Sequence, residues 1–142
     1  MAKAKVDIGE VWREMKDVQT VYLATSDGDQ PRVRPLMLLH ADRNLFITTG
    51  TGSGKVSQIK KNPKAELSWM LGSMDKPGSM RIIGEAKVVE DRDTKAKIAG
   101  MAQWFSMFWK SVDDPGYTLL QIVPRRIVYS RPGDMKAHEF TL

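Results

Sequence analysis

The segment Gly50-Thr51-Gly52-Ser53-Gly54-Lys55 is the part of this chain best suited to chemistry. It follows the apolar, β-prone run Leu45-Phe46-Ile47-Thr48-Thr49 and precedes the short polar helix pattern Val56 to Lys61. A strand, a glycine loop and a helix start in that order free backbone N–H groups to point at an anion. The glycines let the chain come close, and the helix N-terminus adds a partial positive charge. Ser53 offers a hydroxyl and Lys55 a full charge. The natural guest is a phosphate on a nucleotide or cofactor. Spacing excludes two familiar phosphate loops. A Walker A loop needs four residues between its first glycine and Gly-Lys, then Ser or Thr. Here three residues separate Gly50 from Gly54, and Val56 follows Lys55. The dinucleotide fingerprint fails as well, because the third glycine falls at Gly54 rather than one residue later. On local sequence alone, a flexible surface loop without a ligand stays open.

A second group lies in Arg32-Val33-Arg34-Pro35-Leu36-Met37-Leu38-Leu39-His40. Strand alternation puts Arg32, Arg34, Leu36, Leu38 and His40 on one face, and Val33, Met37 and Leu39 on the other. Arginines do not enter an apolar core without partners, so the first face is expected to meet solvent, a ligand or another subunit. Arginine suits phosphates and carbonyl-rich rings; two solvated cations are the plainer reading. Trp104 falls beside the apolar stripe of a long helix pattern, where it covers a planar ligand, packs a partner chain or is simply half exposed. His40 and His138 have no histidine partner at metal-ligand spacing, so no metal site is expected. There is no nucleophile elbow and no carboxylate pair suited to hydrolysis. No catalytic side chain stands out, and an enzyme of this sequence would borrow its chemistry from a cofactor.

The elements that must position these residues follow from periodicity and punctuation. Asp7 to Asp17 reads as a helix, with Asp7 as cap. Strands are expected at 20–25, 30–40 and 45–49, with turns at Ser26 to Asp29 and Ala41 to Asn44. A short helix over 55–61 ends at Asn62-Pro63. Strands follow at 65–71 and 80–89. Asp91 to Val112 reads as one longer helix whose stripe carries Ile98, Met101, Ala102, Phe105, Phe108, Trp109 and Val112. Strands at 117–123 and 125–130 are split by Pro124, and the tail from Arg131 reads as polar and loosely held. Sequential hairpins with few intervening helices argue against a doubly wound parallel sheet. They favour a mainly β fold, a small antiparallel barrel with peripheral helices.

Composition limits the function classes. The 142 residues suit one domain spanning 1–142, and 42% apolar residues suffice for a core. The net charge of +5 is dispersed: Lys60-Lys61 and Arg125-Arg126 are pairs, and Lys3-Ala4-Lys5 is a thin cluster. That pattern favours a solvated surface over nucleic-acid binding. No cysteine is present, so disulfides, thiolate metal sites and cysteine nucleophiles are excluded. No run of about 18 apolar residues exists to span a membrane. The N-terminus lacks a signal-peptide core, which fits a cytoplasmic protein.

Several segments, taken in order, resemble one family. They are Tyr22 to Gly28, Pro31-Arg32-Val33-Arg34-Pro35, Thr48 to Lys55, Gln58-Ile59-Lys60-Lys61-Asn62-Pro63, Gly84-Glu85-Ala86 and Asp114-Pro115-Gly116-Tyr117. Together they resemble the pyridoxamine 5′-phosphate oxidase-like, FMN-binding split-barrel proteins, above all the short general stress protein type. The resemblance implies a six-stranded antiparallel split β-barrel and a homodimer with FMN in a groove between subunits. It implies phosphate ligands at Arg34, Ser53 and Lys55, with Thr48 and Thr49 on the adjoining strand. Gln58 matches a polar residue near the flavin, and Leu36 and Met37 match the strand against its ring. Arg32 and Trp104 complete the set of expected cofactor-binding residues. Some relatives bind a deazaflavin or haem instead, and a non-catalytic flavin carrier or stress-related binding protein needs the same cradle. Pyridoxamine phosphate oxidases carry a longer C-terminal region with a Trp and an Arg. Here Tyr129 stands where Trp is frequent, so oxidation of pyridoxamine phosphate is not implied.

Overall fold

The computed structural model describes residues 5–142, so Lys3 and Ala4 of the N-terminal cluster lie outside the described residues. Its strands are β1 (Val18–Asp27), β2 (Gln30–Ala41), β3 (Asn44–Gly50), β4 (Lys64–Gly72), β5 (Pro77–Val89), β6 (Tyr117–Ser130) and β7 (His138–Thr141). The helices are α1 (Ile8–Glu14), α2 (Gly54–Lys61), α3 (Arg92–Met101) and the single turn α4 (Phe105–Phe108). Neighbouring strands are antiparallel in the order β3-β2-β1-β4-β5-β6, and β6 pairs back onto β3. The expected six-stranded antiparallel barrel with peripheral helices is therefore present. No described helix is long and apolar enough to cross a membrane.

Period-two alternation builds the barrel. Val21 and Leu23 of β1, Leu38 of β2, Leu45 and Ile47 of β3, and Leu67 of β4 point inward to one buried cluster. The outward residues Leu39, Phe46 and Leu119 meet Ile98, Ala99 and Ala102 in a second cluster under α3. Val11 of α1 and Ile59 of α2 join the inner cluster from outside the barrel wall. α1 lies at the His40 end of β2, where Trp12 stacks on the imidazole at 5.9 Å. α2 lies at the Arg34 end, through Gln58.

Four expectations change. The face of β2 that carries Arg34 is not an outer surface. Leu36 and Leu38 on it pack into the barrel core, and only the Arg34 end reaches polar partners. The helix expected over 91–112 stops at Met101, with extended backbone at Ala102. Gly100 weakens the helix there. The break lets Phe105 and Trp109 pack on the Tyr117 ring at 4.8 and 5.2 Å. β6 runs unbroken through Pro124, because the register shifts at Ile83/Gly84 and Gly84 faces the proline that cannot donate. The tail is not loose: β7 pairs with Arg126–Tyr129 of β6, beyond the stretch that β3 covers.

Arg131, just past β6, fastens α1. Its Nε and Nη2 donate to the Glu10 carboxylate at 3.0 and 2.7 Å, and the Tyr129 hydroxyl bonds the same group. The Arg131 bond holds the Glu10 carboxyl below its ordinary value of 4.5, against the opposing effect of burial. A depressed carboxyl stabilises the fold above its unfolded pKa and loses that contribution as pH falls through its folded pKa. Glu10→Gln is therefore expected to lower the Tm at pH 7, with the gap to wild type closing in acid. Calorimetric scans across pH check this; a constant gap would show that charge is not the cause.

Candidate functional site

The site is built where β1, β2, β3 and α2 meet. Inward parity along β1 carries Val21, Leu23 and then Thr25; along β3 it carries Leu45, Ile47 and then Thr49. Both threonines are buried, 4% exposed each, so their hydroxyls must find partners within the protein. They find two cations. Lys55 Nζ donates to Thr49 Oγ1 at 2.7 Å and to Ser53 Oγ at 3.3 Å. Arg34 Nη1 donates to Thr25 Oγ1 at 2.9 Å and to the Leu23 carbonyl at 3.2 Å, while its Nη2 donates to Gln58 Oε1 at 2.9 Å. Thr25 Oγ1 donates to the same Gln58 oxygen at 2.6 Å.

Every acceptor in this network is neutral. Among the described residues, no carboxylate oxygen lies within 4.0 Å of the charged nitrogens of Arg34 or Lys55. Burial, reinforced by Arg32, holds the Arg34 guanidinium below its ordinary pKa. Burial, then the Arg34 charge, does the same to the Lys55 ammonium. Two half-buried cations that repel each other favour an anion between them. Donors remain for it: these bonds use three of the guanidinium's five N–H groups and two of the ammonium's three.

The glycine loop supports the same reading. A Cβ at Gly50 or Gly52 would meet nothing within 4 Å, and neither residue has positive φ. The fold's own sterics do not require glycine there, whereas close approach of a ligand would. Ser53, the N-cap of α2, makes no capping bond; its hydroxyl turns to Thr49 and Lys55 instead. α1 and α3 are capped by the carboxylates of Asp7 and Asp91. The first-turn N–H groups of α2 thus have no side-chain cap from Ser53.

Arg34, Thr49, Ser53, Lys55 and Gln58 therefore come together, and the other expected residues do not join them. Arg32 pairs with Asp27 at 3.3 Å, half exposed beside the β1–β2 turn. Thr48 points out of the barrel, where its hydroxyl takes the Trp104 indole N–H at 3.1 Å. Leu36 packs on the barrel core. Met37 faces outward, its sulfur accepting from Thr20 Oγ1 at 3.4 Å. Thr25 is a member of the cluster that sequence reasoning missed. Its signal was a polar residue continuing the Val21, Leu23 parity towards the arginine end of β2.

Solved structures share this architecture. A NimC/NimA family protein from Clostridium acetobutylicum is 27% identical with a TM-score of 0.74, covering 94% of this chain and 88% of its own. General Stress Protein 26 from Bacillus anthracis is also 27% identical, with a TM-score of 0.71 and coverage of 87% and 88%. An FAD binding protein from Mycobacterium smegmatis is 19% identical with a TM-score of 0.65, covering 89% of this chain and 96% of its own; that likeness shows the fold alone. No curated protein matches the chain. The pyridoxamine 5′-phosphate oxidase family model matches residues 8–131, which carry all six barrel strands and the whole cationic cluster, so the chain belongs to that family.

Proposed function

We propose that this chain binds FMN and acts as a flavin-dependent oxidoreductase, with Arg34, Lys55, Ser53 and Thr49 holding the phosphate. The observation that carries this reading is the pair of half-buried cations held only by neutral acceptors. The cluster fits the phosphate end of FMN: it offers two charges to a dianion and a loop of glycines no other contact requires. FMN, when bound, supplies hydride acceptance and donation. The chain's own groups bind and orient. Lys55 and Arg34 anchor the phosphate, Thr49 and Ser53 fix the ammonium, and Gln58 and Thr25 fix the guanidinium. Leu36 and Met37 follow Arg34 along β2, and Thr48 precedes Thr49 on β3, where its hydroxyl takes the Trp104 indole N–H.

A homodimer accompanies the proposal. Tyr22 of β1, Val33 of β2 and Met70 of β4 are 55%, 69% and 71% exposed. They lie on the outward parity of neighbouring strands, Tyr22 opposite Pro35 and Ala24 opposite Val33. Exposed apolar groups gathered on one sheet face suit a second copy of the chain. Light scattering is expected to give twice the 16.0 kDa chain mass, and Val33→Asp is expected to shift the particle towards the single-chain mass.

The first test is the absorption spectrum of the purified and FMN-reconstituted protein, followed by titration of two variants. Arg34→Ala is expected to weaken FMN binding, whereas Arg32→Ala leaves it near wild type, because Arg32 is already paired with Asp27. Equal affinity in wild type and both variants would remove β2 from the site. NADH- or NADPH-driven reduction of the bound flavin and turnover of an acceptor separate an enzyme from a flavin carrier.

A further inference from the structure

Resting on the FMN reading, we infer that Gln58 is a positioning residue that makes the cradle selective for a phosphorylated flavin. It orients Arg34 with a neutral oxygen and so leaves the guanidinium charge for the ligand.

Three ion-paired arginines of this protein show the contrast. Arg81 is held by Glu66, Arg92 by Asp113 and Arg131 by Glu10, each with a nitrogen–oxygen distance of 3.0 Å or less. Arg34 is held instead by an amide, a hydroxyl and a backbone carbonyl. The Gln58 oxygen accepts twice, from Arg34 Nη2 at 2.9 Å and from Thr25 Oγ1 at 2.6 Å. Thr25 Oγ1 also accepts from Arg34 Nη1 at 2.9 Å, so three side chains form a closed triangle that sets the guanidinium plane. The Gln58 amide nitrogen makes no hydrogen bond among the described residues; the oxygen does all the holding.

Glutamate would accept the same two bonds from the same position. Both would then be charge-assisted or charge-paired, and therefore stronger. Fold stability alone favours the carboxylate, and the amide forgoes that gain. The physical return is electrostatic. A carboxylate at this place would neutralise Arg34 and stand close to an incoming phosphate, repelling it. The amide does neither, and Arg34 and Lys55 keep both charges for a dianion. Phosphate-free flavin gains nothing from this arrangement.

The test compares Gln58→Glu, Gln58→Leu and wild type in three readouts: FMN affinity, riboflavin affinity and apo-protein Tm. Gln58→Glu is expected to raise the Tm, weaken FMN by at least about tenfold and leave riboflavin within about twofold. Gln58→Leu removes the acceptor without adding charge, so it is expected to lower the Tm and to cost FMN less than Gln58→Glu while keeping a preference for FMN over riboflavin. Unchanged FMN affinity in Gln58→Glu, with a raised Tm, would reduce Gln58 to a structural residue and overturn the inference. So would equal weakening of both flavins. Wild type that binds FMN and riboflavin equally would instead overturn the phosphate cradle itself, whatever the variants do.

Discussion

Replacing Lys55 with alanine is expected to weaken FMN binding by about tenfold to a hundredfold and to leave riboflavin binding unchanged. A charge-assisted hydrogen bond contributes roughly 1.5–3 kcal/mol, and about 1.4 kcal/mol is a factor of ten. The ammonium already has two hydroxyl partners and no carboxylate among the described residues, so its charge is available to the phosphate. Its removal costs the fold little, because a half-buried charge repelled by Arg34 is itself unfavourable. The depressed Lys55 pKa adds a direction. The charge is fully present below the folded value and lost as pH rises through it, so FMN affinity is expected to fall on the alkaline side earlier than an ordinary lysine would give. Lys55→Arg is expected to flatten that alkaline limb. Parallel titrations with FMN and riboflavin check both points, and equal weakening of the two ligands by Lys55→Ala would end the phosphate assignment.

Gly84→Val is expected to destabilise the protein by about 3 kcal/mol, lowering the Tm by on the order of 10 °C. Gly84 faces Pro124 at the bulge where β5 and β6 shift register. A Cβ there would collide with the Val123 carbonyl oxygen and lie 3.0 Å from the Pro124 Cα. Both obstacles are backbone, so neither can rotate away. The strands would have to part in the middle of the longest pairing in the barrel, β5 with β6. Gly52→Ala is the matched control: its Cβ meets nothing within 4 Å, and its effect on stability is expected to stay within about 0.5 kcal/mol. Thermal unfolding of the two variants separates a glycine demanded by the fold from one the fold does not require. A Gly84→Val Tm equal to wild type would show that the bulge can open without cost.

Much of this protein was legible in one dimension because the causes are local. Alternation along 20–25, 30–40 and 45–49 marks three strands, since side chains of a pleated chain point to opposite faces in turn. Gly28, at φ 61°, stands in the turn between Asp27 and Gln30, where the sequence predicted a hairpin. The pairing of a glycine loop with Lys55 identified half of the cationic cluster; strand parity put Arg32 and Arg34 on one face, and the family resemblance chose Arg34 between them. Local rules also account for the errors. Pro124 reads as a strand break only until a bulge and Gly84 across from it remove the need for its N–H. Residues 91–112 read as one helix because Phe105 and Trp109 keep helical spacing, although packing on Tyr117 draws them into a separate turn.

Residue types, strand parity and hairpin order are local properties of the chain, and with them come the mainly β class and the cations available to an anion. Which side of each strand faces inward was settled by closure of the barrel. Closure of β6 onto β3 turned the arginine face of β2 inward, and α2 then met its Arg34 end. The pleat already sends Thr48 and Thr49 to opposite faces; closure put Thr49 in the cluster with Lys55 and Thr48 outside against Trp104. Thr25 reached Gln58 across 33 positions of sequence for the same reason. Such contacts depend on how a sheet curls and where its edges meet. That is a collective outcome of burying both apolar clusters at once, and no single segment encodes it.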